Sequence, residues 1–406
     1  MTVSLSSAQN ESGAAAAEIS RPGVFLMTNT LETGGSERQF VTMAKALDRD
    51  KFSVDLGCLK PFGPFLTEVE GIMRFAAGGS LFGWQSLQSR LALSKFLRGQ
   101  RTAVAQSFDF YSNLMLIPAA RLAGVPVVLG SHRQLGDLLT PMQFRAQNAV
   151  FRVCDRVVCN SRAAAERLQE AGVRRGKLVV IPNGLPDELF APVAPSLSYE
   201  ANIVRIGMIS RMNHPVKQHD FFLRVAAQLV PRCPQARFVL VGDGPLRSGL
   251  EVLVEQLGLR DRVVFLGDRR DIPAVLASLD ITVLPSSSES LSNVVMESMA
   301  AGVAVVASNV GGNPELVENG VTGFLFAPGD EEQFAAAMET LITQPELRKR
   351  FGSSARKRAL AEYTIPRVRD RYQDLYRSLL AEKGWAAPLA MERLQAAGTH
   401  QQGRSH

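Results

Sequence analysis

Residues 280–309, "DITVLPSSSESLSNVVMESMAAGVAVVASN", decide the fold. An apolar run at 281–286 leads into serines, then a helical pattern, then a second apolar run at 303–309. Continuous apolar strands on either side of a helix belong to a parallel sheet covered on both faces. The pattern recurs along the chain in "GVFLMT" (23–28), "PVVLG" (126–130), "RVVCNS" (156–161), "KLVVIPN" (177–183), "IVRIGMIS" (203–210), "RFVLVGDG" (237–244) and "RVVFLGD" (262–268). After the first run, "SERQFVTMAKAL" sets Phe40, Val41, Ala44 and Leu47 at helical spacing. The class is α/β, doubly wound.

The alternation breaks once. Residues 183–202 carry three prolines and little periodicity, as a linker does. The expected organisation is a disordered tail at 1–20, an α/β domain at 21–185, a linker at 186–200, and a second α/β domain at 201–362. A closing helix at 363–385 and a flexible tail at 386–406 complete it. In the closing helix Val368, Tyr372, Leu375, Tyr376, Leu379 and Leu380 share one face, with Thr364 as its cap. The cleft between two such domains is the expected ligand site.

Composition bounds the function. The chain has 406 residues, 46% of them hydrophobic, enough for roughly two to three domains. A net charge of +6 and a pI near 9.3 suit polyanionic ligands or a membrane surface. No helix-turn-helix, zinc-finger or aromatic-rich basic stripe points to nucleic acid. Cys58, Cys154, Cys159 and Cys233 form no Cys-x-x-Cys, which fits a reducing cytoplasm. The N-terminus has no basic residue before Arg21 and does not read as a secretory signal. No apolar run is long enough to span a bilayer.

The opening stretch also carries chemistry. A helix starting near Ser292 or Asn293 points free N–H groups at the strand's C-terminal edge, where phosphates bind. Glu289 then lies in the loop and Glu297 one turn into the helix. Carboxylates accept hydrogen bonds from sugar hydroxyls, so the pair suits the ribose and hexose of a nucleotide sugar. On spacing alone, a loop glutamate and a helix-face glutamate with no shared role is the favoured reading, and the neighbouring residues shift the balance. Upstream, Arg211 and Lys217 follow another strand and suit a diphosphate. Gly311 and Gly312 permit close backbone approach, and Glu315 adds a third carboxylate. Ser36 and Gln39 form a capping-box pattern behind Gly34 and Gly35. His132 ends a strand in "LGSHRQ".

Together these residues resemble the retaining GT-B glycosyltransferases of glycosyltransferase family 4, over about residues 23 to 380. The resemblance rests on Glu289-x7-Glu297, "GGNPE" at 311–315, the Arg211/Lys217 pair, "VGDGP" at 241–245, "IPNG" at 181–184 and "GGSER" at 34–38. It implies two Rossmann-like parallel-sheet domains facing across a cleft, with the last helix crossing back to the first domain. It implies that Arg211 and Lys217 bind the donor diphosphate, Glu297 the ribose, and Glu289 and His132 the transferred sugar. Gly242 and the N–H groups near Leu291, Ser292 and Asn293 would lie along the donor, and Gly34 and Gly35 would reach its phosphates. Two positions depart from the family: Ser290 and Gln218 stand where glycine is common.

The activity implied is transfer of a sugar from a UDP- or GDP-linked donor to an acceptor hydroxyl, with retention, in polysaccharide or glycolipid assembly. The donor is a substrate, and no cofactor or metal site is expected. The acceptor would be a glycan or lipid-linked sugar. The basic stretch 145–177 reads either as a face for anionic membrane or as a solvated helix face. A nucleotide-sugar 2-epimerase and a non-catalytic nucleotide-sugar-binding module share the fold and remain alternatives. An NAD-dependent oxidoreductase would need Gly-x-Gly-x-x-Gly after the first strand, and "TNTLETGGS" (28–36) lacks it.

Overall fold

Two parallel sheets carry the chain in this computed structural model, which describes residues 21–81, 83–137 and 139–385. The tails expected at 1–20 and 386–406 lie outside the described residues. The first sheet contains β1 (Gly23–Thr28), β2 (Ser53–Cys58), β3 (Met73–Arg74), β4 (Thr102–Ser107), β5 (Val127–His132), β6 (Arg156–Cys159) and β7 (Leu178–Val180). The second contains β8 (Val204–Ile209), β9 (Ala236–Val241), β10 (Val263–Phe265), β11 (Ile281–Leu284), β12 (Ala304–Ser308) and β13 (Gly323–Phe326). Their orders are β3-β2-β1-β4-β5-β6-β7 and β10-β9-β8-β11-β12-β13. All pairings are parallel. This is the expected pair of Rossmann-like sheets. In each, the winding reverses once, between β1 and β4 and between β8 and β11. Ligands of such sheets bind outside the carboxyl ends at that reversal.

Four strands lie outside the apolar runs read from the sequence: β2, β3, β4 and β13. The strand β4, "TAVAQS", is buried along its whole length, yet polar Gln106 and Ser107 and two small alanines interrupt its apolar character. Tyr376 donates its phenolic O–H to Gln106 Oε1 at 2.5 Å, while Nε2 is buried without a partner among the described residues.

That tyrosine comes from the last helix, Ile365–Glu382. The helix follows the second sheet in sequence but buries Val368, Tyr372, Tyr376 and Leu379 in a core shared with Val24 and Phe40 of the first. Truncating one such buried ring costs about 3–5 kcal/mol. Thr364 occupies the cap position but makes no side-chain cap bond, contrary to expectation. Its backbone instead forms a bridge with Leu185. Among the described residues no helix is long and apolar enough to cross a membrane.

Candidate active site

Two glycines shape the turn after β8. Gly242 and Gly244 have φ of +124° and +151°, and a Cβ on Gly242 would sit 2.2 Å from Ser210 O. With no side chains in the way, the Ser210–Asn213 turn lies against them and sets Arg211 at the cleft. Arg211 is exposed, and among the described residues it has no hydrogen-bond or ion-pair partner. The chain then makes a short turn, Pro215–Lys217, in which His214 Nδ1 accepts from Val216 N–H at 3.2 Å. Gln218 follows with φ +60° and ψ +42°. This left-handed conformation costs a non-glycine residue roughly 1–2 kcal/mol, which accounts for glycine being common there.

The loop after β11 is seated the same way. A Cβ on Gly311 would lie 1.7 Å from Glu289 O, and one on Gly312 2.0 Å from Ser290 O. Gly312 N–H donates to Glu289 O at 3.1 Å. So "GGNPE" is the floor under the first glutamate of the pair. The Glu289 side chain is one-tenth exposed. Its Oε1 accepts from Lys217 Nζ at 2.5 Å and from Ser286 Oγ at 2.9 Å. Among the described residues Oε2 has no such partner, which leaves it available to a ligand hydroxyl.

The helix Asn293–Ala301 begins at Ser292, whose Oγ accepts from Val295 N–H at 3.2 Å. Glu297, one turn in, is 8% exposed. Among the described residues its carboxylate has no hydrogen-bond partner. Burial raises its pKa to about 7, opposed in part by Arg38. A nearly buried carboxyl without donors is costly unless a ligand supplies them. Arg211, Lys217, Glu289, Glu297 and Gly242 all line one cavity of 560 Å³, together with Leu291, Ser292 and Asn293.

Gly34 and Gly35 close this cavity from the first sheet. A Cβ on Gly35 would lie 3.1 Å from Asn293 Nδ2, so the glycine loop and the helix start touch across the cleft. The helix after the loop runs Gly35–Ala46 without a side-chain cap. The capping box expected of Ser36 and Gln39 does not form. Gln39 instead clamps the Gly184 backbone, accepting from its N–H at 2.8 Å and donating to its carbonyl at 3.1 Å. A bond to the distant 181–184 stretch outcompetes the local one.

His132 lies elsewhere. It ends β5 at 1% exposure and lines a second cavity, of 490 Å³. Gly34, Gly35, Arg211, Leu291 and Asn293 line both cavities, so the two meet there. Burial, with Arg167 second, lowers the His132 pKa to about 4.

Several residues at the site, or the partners of residues already named, escape the sequence. Glu37, quoted only within "GGSER", lines the second cavity. Burial raises its pKa to about 7, with Asp109 adding to the rise and its own backbone N–H and Arg211 opposing it. Asn183 Nδ2 donates to Asn293 Oδ1 at 2.6 Å and Asn183 Oδ1 accepts from Arg133 at 2.6 Å. Ser290, one of the two departures from the family, donates its hydroxyl to Asn160 Oδ1 at 2.6 Å. Glu315 accepts from the N–H groups of Arg162 and Ala163 at 2.9 and 3.0 Å. It caps a helix across the cleft and lines neither cavity. Only long-range pairing reveals these roles. Among the described residues no cluster of three metal-ligating side chains occurs.

Comparison with known proteins agrees with the geometry. Residues 33–189 match the family Glycosyltransferase Family 4 and residues 203–344 match Glycosyl transferases group 1. The Escherichia coli UDP-Gal:alpha-D-GlcNAc-diphosphoundecaprenol alpha-1,3-galactosyltransferase is 27% identical over 86% of this chain and 95% of its own. The putative glycosyltransferase EpsF of Bacillus subtilis is 30% identical over 71% of this chain and 80% of its own. The crystal structure of Anabaena HepE in complex with UDP superposes with a TM-score of 0.77 at 25% identity, over 88% of this chain and 100% of that one. The chain belongs to glycosyltransferase family 4, and it is a retaining glycosyltransferase that draws on a nucleotide sugar.

Proposed function

We propose that the 560 Å³ cavity holds a UDP-linked sugar and the 490 Å³ cavity the acceptor, with transfer where they meet. The observation that carries this is the convergence of Arg211, Lys217, Glu289 and Glu297 on one cavity. Residues 201–362 then form the nucleotide-sugar unit. Residues 21–185, with the helix within 363–385, form the acceptor unit, and 186–200 link the two. UDP is favoured over GDP because HepE is seen with UDP and the Escherichia coli relative takes UDP-Gal. That relative's acceptor is a diphosphoundecaprenol-linked sugar, which supports a lipid-linked or polysaccharide acceptor here.

Arg211, Lys217 and the helix-start N–H groups stabilise the charge that grows on the diphosphate as the C1–O bond breaks. One such donor contributes roughly 2.7–4 kcal/mol. Glu297 accepts from ribose hydroxyls and Glu289 Oε2 from the transferred sugar. The acceptor oxygen bonds to C1 on the face the diphosphate leaves, and its proton passes to the departing phosphate oxygen. The cations make a divalent metal unnecessary, so transfer persists in EDTA. Thermal shift with UDP and GDP is the first test, because saturation at a hundredfold excess over Kd stabilises by about 2.7 kcal/mol. A shift with UDP supports the assignment, and a shift with GDP alone overturns it.

The acceptor unit also suits a membrane surface. Arg156 pairs with Glu382 at 3.2 Å, and Lys177 binds the carbonyls of Arg152 and Cys154. Arg145, Arg152, Arg174 and Arg175 remain exposed, with Met142 and Val153 exposed beside them. Vesicles rich in anionic lipid should bind the protein at low salt and release it at high salt.

A further inference from the structure

Behind His132 runs a hydrogen-bond chain whose direction can be read from its fixed end. The backbone N–H of Ser131 donates to Asn113 Oδ1 at 3.1 Å, and Ser107 Oγ donates to the same oxygen at 2.6 Å. The other end of that amide is therefore Nδ2. It donates to Ser131 O at 2.8 Å and to Gln147 Oε1 at 3.3 Å. With Oε1 so placed, Gln147 presents Nε2 to His132 Nδ1 at 3.1 Å. An amide NH₂ only donates, so Nδ1 must accept. The imidazole is then neutral, with its proton on Nε2. Neutrality agrees with a pKa held down to about 4.

The other ring nitrogen is the anomaly. Among the described residues His132 Nε2 is buried without a hydrogen-bond partner, on a ring that lines the 490 Å³ cavity. Phe144 and Phe151 pack against that ring and offer no acceptor. A buried donor left unpaired costs about 1–3 kcal/mol, which a bound ligand oxygen would recover.

We propose that Gln147 is a positioning residue for transfer: its hydrogen bond to Nδ1 makes His132 present an N–H, not a lone pair, to the substrate. This rests on the proposed placement of the acceptor in the 490 Å³ cavity, which His132 lines. The group recognised is then an oxygen that accepts a hydrogen bond, such as that of a sugar hydroxyl. His132 holds no lone pair on the substrate side and does not take the acceptor's proton. That leaves the proton to the departing phosphate.

Nitrogen-15 NMR of the imidazoles in the full-length protein reads the tautomer directly, with His132→Ala assigning the signal. The expected spectrum shows a protonated Nε2 and an unprotonated Nδ1. The reverse pattern in the wild-type protein overturns the proposal without any further variant. Gln147→Glu keeps the acceptor for Asn113 but cannot donate to Nδ1, so it should move the proton to Nδ1. It should lower kcat by about tenfold or more, with UDP affinity unchanged within about twofold. An inverted tautomer with wild-type kcat overturns the proposal. Wild-type kcat in His132→Ala would instead overturn the placement of the acceptor, and the proposal with it.

Discussion

Lys217 Nζ lies 2.5 Å from Glu289 Oε1, joining the cation that follows β8 to the carboxylate that follows β11. Ser286 bonds the same oxygen. The glutamate is therefore held in one orientation before any ligand arrives, with Oε2 free among the described residues. The lysine holds Glu289 and faces the cavity proposed for the diphosphate.

The two roles can be separated by substitution. Glu289→Gln keeps a hydrogen-bond acceptor at Oε1 but weakens the grip on the sugar, so kcat falls while UDP affinity stays near wild type. Lys217→Ala removes a phosphate partner and leaves a buried carboxylate unpaired, costing roughly 2–4 kcal/mol in kcat/KM. Because the residues touch, the double variant should lose less than the sum. Steady-state kinetics with titration of UDP checks all three.

Glu297 should trade stability for binding. Its folded-state pKa is about 7, against an ordinary value of 4.5. The folded protein therefore holds that proton more tightly than the unfolded chain does. Its contribution to stability is full below pH 4.5 and is lost as pH rises through 7. Glu297→Gln removes the penalty, so above pH 7 it should melt higher than the wild-type protein, by about 3 kcal/mol at most, and match it near pH 4. Glu37 titrates in the same range, but it is present in both proteins and cancels. A variant that melts lower than wild type at pH 8 contradicts this account.

Gly311→Ala tests the floor of the loop. Its Cβ would stand 1.7 Å from Glu289 O, at a φ of +51°. The Glu289 loop must move, so kcat should fall by about tenfold or more. The second sheet stays folded, which far-UV circular dichroism would verify.

Glu315→Ala removes a carboxylate that accepts from two N–H groups of the helix Arg162–Glu170. Loss of a helix cap costs about 1 kcal/mol. The change should appear as a lower Tm with UDP affinity unaffected, since Glu315 lines neither cavity.

Much of this site was legible in the sequence because it follows strand ends. Arg211, Glu289 and the Ser292 cap each stand a fixed few residues beyond an apolar run. Winding order then brings those runs together. What stayed hidden depends on pairing between distant segments. The strand β4 was hidden because a buried glutamine interrupts its apolar character, and the Tyr376 hydroxyl that bonds its Oε1 comes from 270 residues away. The Ser36/Gln39 pattern misled because Gln39 finds Gly184 instead. Glu315 reads in the sequence only as a third carboxylate, and its partners lie across the cleft on the helix Arg162–Glu170. The direction of the Gln147–His132 bond required an entire chain of amides, which no spacing encodes.

Titration calorimetry of UDP against four proteins tests the central claim most directly: wild type, Arg211→Ala, Glu297→Ala and Glu289→Gln. Loss of the diphosphate and ribose partners should each weaken binding by about tenfold or more, or 1.4 kcal/mol per decade. Glu289→Gln should bind within about twofold of wild type. Wild-type affinity in both Arg211→Ala and Glu297→Ala would contradict the assignment of this cavity to the nucleotide.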